Sequence, residues 1–226
     1  MPDAFLLSVQ TGHTAPLGPE EVPSAFVKTA RRGPVAVMRL GLDGDEQADL
    51  SVHGGPEKAV YAYAAARYPL WAAQFPDLAA HFTDLATGTA MGGAMGENLT
   101  VSGLDESAIC VGDVHQAGSA LLQVCQPRQP CFKFALRHNN KYLPKAMVRN
   151  GFSGWYYRVL RVGQLEAGDK LILQDRPNPD FPFTRLVEII YHGKATADEI
   201  RRMAELEGLA SQWRDHARAL LAARQD

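Results

Sequence analysis

The sequence predicts a mainly β protein with helices, in which a barrel or sandwich precedes a small C-terminal three-helix module. Short apolar segments separated by glycine and proline fill the first two-thirds of the chain, and helix-capping signals follow a proline-rich stretch near residue 175. The 226 residues are 46% hydrophobic and 21% charged, which is close to the globular average and argues against disordered and coiled-coil classes.

Eight segments of the first two-thirds are apolar or alternating runs bounded by turn residues, as strands are. Short strands at this density favour a barrel or sandwich over a doubly wound sheet. The predicted strands cover residues 5–9, 25–29, 35–40, 59–63, 108–111, 121–125, 155–162 and 170–173.

Two helical segments interrupt the predicted strands. Residues 64–82 place Tyr68, Trp71 and Phe75 at helical spacing. Residues 132–149 carry a similar but less regular apolar pattern. We therefore expect one helix over each segment.

A change in composition divides the chain. Residues 175–182 contain three prolines among Asp and Asn, which is typical of a linker. This segment predicts a barrel or sandwich domain over residues 1–176 and a helical module over residues 183–226. A module this small is marginal alone, so we expect it to dock on the barrel or on a second subunit, which leaves a homodimer open.

The module carries signals for three helices. An apolar pattern at residues 186–190 predicts the first, and Thr196 with Glu199 forms a capping box for the second, which Gly208 ends. Ser211 is expected to cap the third, over residues 213–223. The apolar residues expected to dock are Leu186, Ile190, Leu206, Trp213 and Leu220.

Charge and cysteine usage exclude several classes of protein. The net charge of -2 gives no case for stable nucleic-acid binding. The sequence lacks a membrane-span-length apolar run and a basic, apolar leader, so cytoplasmic residence is expected and no membrane partner is. Three cysteines without metal-finger spacing suggest neither a disulfide framework nor a zinc site.

A glycine-dense stretch spans residues 41–46 and 53–56. It predicts either close backbone approach to an anion or cofactor, or simply two tight turns. Asp43, Asp45 and His53 do not follow a recognised hard-metal spacing, and an isolated His53 is ordinarily a turn residue.

Cys131 stands apart from the other cysteines. It follows a proline at the start of a predicted helix, and the helix dipole together with Arg128 and Lys133 would lower its pKa. The alternative is a small buried hydrophobic residue, which fits Cys110 and Cys125 because each lies in an apolar run without basic neighbours.

These motifs, taken in order, resemble the MOSC domain family, the molybdenum cofactor sulfurase C-terminal domains. The resemblance covers residues 6–173, and residues 183–223 look like the three-helix extension of the YiiM-like stand-alone subgroup. The matching motifs are Gly41-Leu42-x-Gly44-Asp45, His53-Gly54-Gly55-Pro56-x-Lys58-Ala59-Val60, Gly96-Glu97-Asn98-Leu99, Gly112-Asp113 and Gln126-Pro127-Arg128-x-Pro130-Cys131.

The resemblance implies a MOSC-type β-barrel and a molybdenum ion of a pyranopterin cofactor ligated by Cys131. It also implies reduction of N-hydroxylated compounds, such as N-hydroxylated purine bases, to amines, a detoxification chemistry with electrons from a separate flavin-containing reductase. No flavin or nicotinamide motif is visible, which agrees with an external donor. Pyridoxal phosphate is not expected, because that association belongs to a fused transferase domain.

Further site residues follow from the resemblance and from local charge. His53 is expected to contact the cofactor or relay a proton. Arg128, Lys133 and Arg158 are expected to form one anion site for the cofactor phosphate. The remaining expected cofactor contacts are Gly54, Gly55, Lys58, Glu97 and Asn98.

Two other functions compete with the reductase. A thiolate near cations also suits a sulfur carrier in which Cys131 delivers a persulfide to a metallocofactor. The chain could also be a non-catalytic binder of the molybdenum cofactor, with the helical module docking a partner.

Overall fold

One eight-stranded sheet forms the centre of the fold, and a computed structural model describes it over residues 3–50, 53–84 and 92–223. The predicted mainly β architecture with helices is confirmed. The strands in these ranges are β1 Phe5–Thr11, β2 Ala15–Leu17, β3 Val22–Ser24, β4 Thr29–Ala30, β5 Val35–Met38, β6 Gly41–Leu42, β7 Val60–Ala64, β8 Leu99–Ser102, β9 Val114–Ala117, β10 Ala120–Pro127, β11 Trp155–Arg161, β12 Gly163–Leu165 and β13 Leu171–Asp175. The α-helices are α1 Tyr68–Gln74, α2 Ala79–Phe82, α3 Phe132–His138, α4 Leu143–Asn150, α5 Phe183–His192, α6 Ala197–Glu205 and α7 Ser211–Ala222, with 3₁₀ helices at Pro56–Lys58, Ala65–Arg67 and Pro76–Leu78.

The large sheet closes into a barrel. Its strand order is β13-β9-β10-β11-β7-β8-β1-β4, and only β7 and β8 pair in parallel among these neighbours. The first half of β1 returns to β13, because Leu171 N donates to Ala4 O at 2.8 Å and Leu6 N donates to Asp169 O at 2.9 Å. The apolar side chains of the closed strands fill the interior, as in other small barrels.

Two predicted strands are wrong for the same physical reason. Residues 25–28 lie between β3 and β4, where Phe26 is buried and stacks on Phe134 with ring centroids 6.2 Å apart. Residues 108–111 make only one bridge, between Cys110 and Pro182. Ala25 and Phe26 of the first segment and residues 109–111 of the second are buried in the core, and neither segment joins a strand ladder.

Both long predicted helices are divided in two. In the first, Phe75 precedes a proline and has non-helical backbone angles, φ -128° and ψ 73°, which end α1 before α2 begins. In the second, Asn139 adopts a left-handed φ of 50° between α3 and α4. Asparagine tolerates this conformation better than most residues, so the break is encoded locally.

The C-terminal module forms three helices. Thr196 and Glu199 make the predicted reciprocal capping box at the start of α6. The predicted Ser211 cap is wrong, because α7 begins at Ser211 itself and the acceptor for its backbone N–H is Glu57 of the barrel domain. Gly208 lies in the loop after α6 with a φ of 80°, close against Gly112.

The module docks on the barrel through a shared apolar core that includes Phe183, Leu186 and Leu209. The segment before it is held in place, since Phe181 is buried and Asn178 donates to the carbonyls of two neighbouring segments. Leu220 is exposed, contrary to expectation, while the domain limits at 176 and 183 stay a prediction. No helix within the described ranges is both long and apolar enough to cross a membrane.

Candidate functional site

The candidate site is a cleft at the rim of the barrel, where β10 ends and α3 begins. Residues 128–131 connect the two elements, and Cys131 occupies the N-cap position of α3 with an extended backbone. The loop that carries His53 and Gly54 lies across the cleft. The strand end, the helix start and the glycine loop therefore converge on one thiol.

The environment of Cys131 favours the thiolate. Partial burial opposes ionisation, but a hydrogen bond from His53, the charge of Arg128 and the backbone N–H of Lys133 outweigh it. Together they lower the pKa of the Cys131 thiol to about 6. A thiolate has the chemistry of a nucleophile and of a soft metal ligand, and this environment favours that form of Cys131.

The other two cysteines have the opposite character. Cys125 lies inside the barrel wall, where burial raises its thiol pKa to about 12. Its thiol donates to Glu57 O at 2.9 Å and to Tyr156 O at 3.3 Å. Burial also raises the pKa of Cys110. Both residues fit the predicted structural role.

The first part of the cleft, here called the cation chamber, is rich in positive charge. Lys28 and Asp45 form a buried ion pair in its wall, and Asp45 also accepts from Gly12 N at 2.9 Å and Asn98 Nδ2 at 2.8 Å. Burial lowers the pKa of Lys28, and the adjacent Asp45 opposes this shift. The chamber is lined by Lys28, Asp45, His53, Gly54, Lys58, Tyr61, Asn98, Arg128, Cys131, Lys133 and Tyr156, among others.

Arg128 is locked in place beside the cation chamber. Its Nη1 donates to Met95 O, and its guanidinium lies 5.1 Å from the Phe26 ring centroid and 5.0 Å from that of Tyr61. Cation–π contacts of this kind hold a desolvated guanidinium without neutralising it. Arg128 therefore keeps a fixed positive charge near Cys131.

The second part of the cleft is here called the amide chamber, and it shares much of its lining with the cation chamber. The shared residues are Ala48, His53, Lys58, Gln129, Cys131, Lys133 and Tyr156. The amide chamber encloses about 600 Å³. Gln126, Gln212 and the exposed Phe132 line this chamber and not the cation chamber. The chamber is lined by Val22, Pro23, Ala48, Asp49, His53, Lys58, Gln126, Pro127, Gln129, Pro130, Cys131, Phe132, Lys133, Tyr156 and Gln212.

The structure brings most of the expected site residues together. Seven of the ten line the cleft, and three do not, namely Gly55, Glu97 and Arg158. The seven are His53, Gly54, Lys58, Asn98, Arg128, Cys131 and Lys133. Their individual roles toward a cofactor stay predictions.

Glu97 faces the interior and not the cleft. Its carboxylate accepts from Tyr68 Oη at 2.5 Å, Gly93 N at 2.7 Å, Met95 N at 3.1 Å and Thr100 Oγ1 at 2.8 Å. These bonds hold the loop whose Met95 carbonyl contacts Arg128. Glu97 therefore supports the site from behind.

Arg158 does not join Arg128 and Lys133 in one anion site. Its Nη2 donates to Glu57 Oε1 at 2.6 Å and its Nη1 to Gln123 Oε1 at 2.9 Å, on β10. Arg158 therefore fastens the barrel to the loop before α7, where Gly208 O lies 3.5 Å away. The expected three-cation cluster is corrected to two of its members, because the side chains on β11 alternate between faces of the sheet.

Sequence reasoning missed several residues of the cleft. Lys28, Tyr61 and Tyr156 line the cleft, but the sequence predicts only that they lie in strands. A signal existed for Lys28, because a lysine within an apolar run needs a partner when it is buried. No signal in the sequence places Gln212, since it lies 81 residues after Cys131.

The cleft fits a metal that brings most of its own ligands. The parts of the chain that the structure describes contain no cluster of three His, Cys, Asp or Glu side chains able to hold a metal ion. Cys131 supplies one soft thiolate, and the cation chamber supplies positive charge for an anion. A molybdenum ion bound by a phosphate-bearing pyranopterin matches this donor set.

Comparisons with known proteins agree with the geometry. The family model for the MOSC domain matches residues 49–172, and that for the YiiM-like, 3-alpha helix domain matches residues 184–224. The chain is 36% identical to YiiM of Escherichia coli and 34% identical to YflK of Bacillus subtilis, each over 86% of this chain and 83% of the relative.

A solved structure and a further relative are also similar to this chain. The crystal structure of YiiM from Geobacillus stearothermophilus has a TM-score of 0.78 and 32% identity, covering 96% of this chain and 99% of that one. A protein of Gibberella moniliformis named Reductase is 36% identical over 75% of this chain, which spans 29% of that protein.

Proposed function

The chain belongs to the MOSC domain family, and we propose that it is a molybdenum-cofactor-dependent oxidoreductase that reduces N-hydroxylated compounds to amines. The observation that carries the proposal is the Cys131 thiol, whose pKa is about 6 and which adjoins a chamber of fixed cations. The relative named Reductase supports an oxidoreductase chemistry. The proposal keeps the cytoplasmic residence expected from the sequence.

Different residues of the cleft would bind different parts of the cofactor. Cys131 would ligate the molybdenum ion, and Arg128, Lys133 and Lys58 would offset the charge of the phosphate. Asn98 is fixed by Asp45 and by Tyr61 N, so its amide stays in the chamber wall.

The reaction converts R–NH–OH, two electrons and two protons into R–NH₂ and water. When bound, the molybdenum cofactor supplies the two-electron redox change that breaks the N–O bond. A separate flavin-containing reductase is the electron donor in this proposal. His53 donates a hydrogen bond to Cys131, and this ring N–H would lie close to the cofactor that Cys131 would hold.

The test uses protein purified from cells that make the molybdenum cofactor. We expect molybdenum near one equivalent per chain, pterin fluorescence, and reduction of an N-hydroxylated purine by dithionite-reduced viologen. Molybdenum without turnover would instead identify a non-catalytic cofactor binder. Absence of both metal and pterin would overturn the proposal.

The low pKa of Cys131 also supports the second candidate, a persulfide carrier. In that function the thiolate would hold a sulfane sulfur and pass it to a metallocofactor. Cyanide treatment distinguishes the two, since a carrier releases thiocyanate in proportion to Cys131. A reductase retains its molybdenum and gives no thiocyanate from this residue.

A further inference from the structure

The C-terminal module reaches the cleft through Gln212, the second residue of α7. Gln212 Nε2 donates to Gln126 Oε1, and Trp213 Nε1 donates to the same oxygen at 3.2 Å. Gln126 is buried and lies at the floor of the amide chamber. A helix outside the barrel therefore completes the wall of the candidate site.

The start of α7 is held against the barrel by several independent contacts. The Glu57 carboxylate accepts from Ser211 N at 2.9 Å and from Ser211 Oγ at 2.8 Å, and Ala210 N donates to Cys125 O at 3.0 Å. The backbone carbonyl of Glu57 accepts from Gln126 Nε2 at 2.8 Å. These bonds fix Gln212 relative to Cys131, so its position is built into the fold.

The lining of the amide chamber indicates the chemistry of its ligand. Gln129 and Gln212 are exposed and line the chamber with amide groups. Gln212 uses one N–H on Gln126, which leaves its second N–H and its carbonyl oxygen for a ligand. The ring of Phe132 is 60% exposed at the chamber wall, where a flat ligand can stack on it. A glutamine amide pairs in bidentate fashion with an amino group beside a ring nitrogen, as adenine presents.

We propose that the amide chamber binds the ring of a planar amino-heterocycle and that Gln212 of α7 is a specificity-determining residue. This inference rests on the proposed function, because it places the substrate of that reaction beside Cys131. The cation chamber is then left to the cofactor. The three-helix module becomes part of the substrate site and not only a cover for the barrel.

The binding test uses metal-free protein, adenine as the probe, and the indole N–H signals of the three tryptophans in NMR spectra. Trp71 and Trp155 are fully buried, whereas the Trp213 indole contacts Gln126. We expect adenine to shift the Trp213 signal alone, and Trp213→Phe assigns that signal. No shift, or equal shifts of all three signals, contradicts the inference.

Two variants test whether Gln212 contributes to adenine binding. Gln212→Ala should weaken adenine binding about 10-fold, the effect of losing one to two hydrogen bonds. Gln174→Ala, an exposed glutamine on β13 outside the cleft, should bind adenine as the wild type does. Equal affinity in Gln212→Ala and wild type overturns the inference.

Two outcomes separate this inference from the proposed function. Molybdenum and turnover in the wild type, with normal adenine binding by Gln212→Ala, mean that the inference alone fails. Selective loss of adenine binding in Gln212→Ala, without molybdenum in the wild type, means that the proposed function alone fails. Displacement of adenine on cofactor loading would assign the amide chamber to the cofactor and also overturn the inference.

Discussion

Cys125 and Cys131 lie six residues apart, yet their thiol pKa values are about 12 and about 6. Cys125 belongs to β10 and is enclosed by the barrel, where its thiol donates to two backbone carbonyls. Cys131 follows the strand end, where His53, Arg128 and a backbone N–H face the sulfur. Deeper burial raises the pKa of Cys125, whereas at Cys131 the neighbouring donors and the cation outweigh a smaller effect of burial.

The comparison shows that the barrel wall and the barrel rim favour different protonation states of a cysteine. Inside the wall, burial favours the neutral forms of Cys125 and of His115, whose pKa it lowers to about 4. At the rim, chain ends, loops and a helix start supply donors and cations that the strands cannot. Residues 125–131 therefore lead from a buried, neutral thiol to a thiol whose surroundings favour the thiolate.

The largest expected effect is at Cys131. Cys131→Ser removes the soft ligand, so we expect molybdenum content and reduction of N-hydroxylated compounds to fall to background. Cys125→Ser and Cys110→Ser, measured by metal analysis and turnover in parallel, should keep most of both. Retained molybdenum and full turnover in Cys131→Ser would contradict the proposal that Cys131 ligates the metal.

The next effect concerns the fixed cation. Arg128→Met keeps a long side chain among the rings of Phe26 and Tyr61 but removes the charge. We expect the pKa of Cys131 to rise and cofactor affinity to fall about 10- to 100-fold, as for supporting residues of metal sites. The control is Arg149→Met, an exposed cation on α4. If both variants retain molybdenum equally, the cation chamber does not hold the cofactor.

The barrel interior predicts a dependence of stability on pH. His115 is 2% exposed and its Nδ1 lies 3.0 Å from the Tyr157 hydroxyl. Burial, opposed by Asp113, lowers its pKa from 6.5 to about 4. The unfolded chain therefore binds more protons between these values, and stability falls as the pH drops.

The loss of unfolding free energy on acidification can be measured by urea unfolding at pH 7 and pH 5. We expect His115 to account for about 2 kcal/mol of the loss of unfolding free energy between these pH values. His115→Asn keeps an acceptor for Tyr157 and should show a flatter pH dependence, although it is less stable at pH 7. An unchanged slope in the variant would show that His115 protonates freely in the folded state.

The smallest effect distinguishes Arg158 from the cations of the cleft. Arg158→Ala breaks contacts with Glu57 and Gln123, so it should lower the unfolding free energy by about 1 kcal/mol. Molybdenum content should match the wild type, because Arg158 lines neither chamber. Loss of cofactor without loss of stability would restore the three-cation site expected from the sequence.

Local sequence signals predicted those parts of the fold that local interactions determine. The thiolate at Cys131 depends in part on its neighbours Arg128 and Lys133, while the His53 hydrogen bond comes from a distant loop. The capping box at Thr196 depends on a residue three positions away, and it could be predicted. The cap of α7 could not be, because Glu57 supplies it from 154 residues away. For the same reason, the sequence did not predict that Gln212 lines the cleft or that Arg158 lies outside it. Strand pairing and helix docking decide which side chains share a cleft.

The most direct test of the account is the pH dependence of thiol alkylation in the metal-free protein. Iodoacetamide labelling at each cysteine, followed by mass spectrometry from pH 4 to pH 10, reports the thiolate fraction site by site. We predict half-maximal labelling of Cys131 near pH 6, while Cys125 stays unlabelled across this range in the folded protein. A Cys131 midpoint near the ordinary thiol value of about 8.5, or labelling of Cys125 at the same pH, would contradict the account.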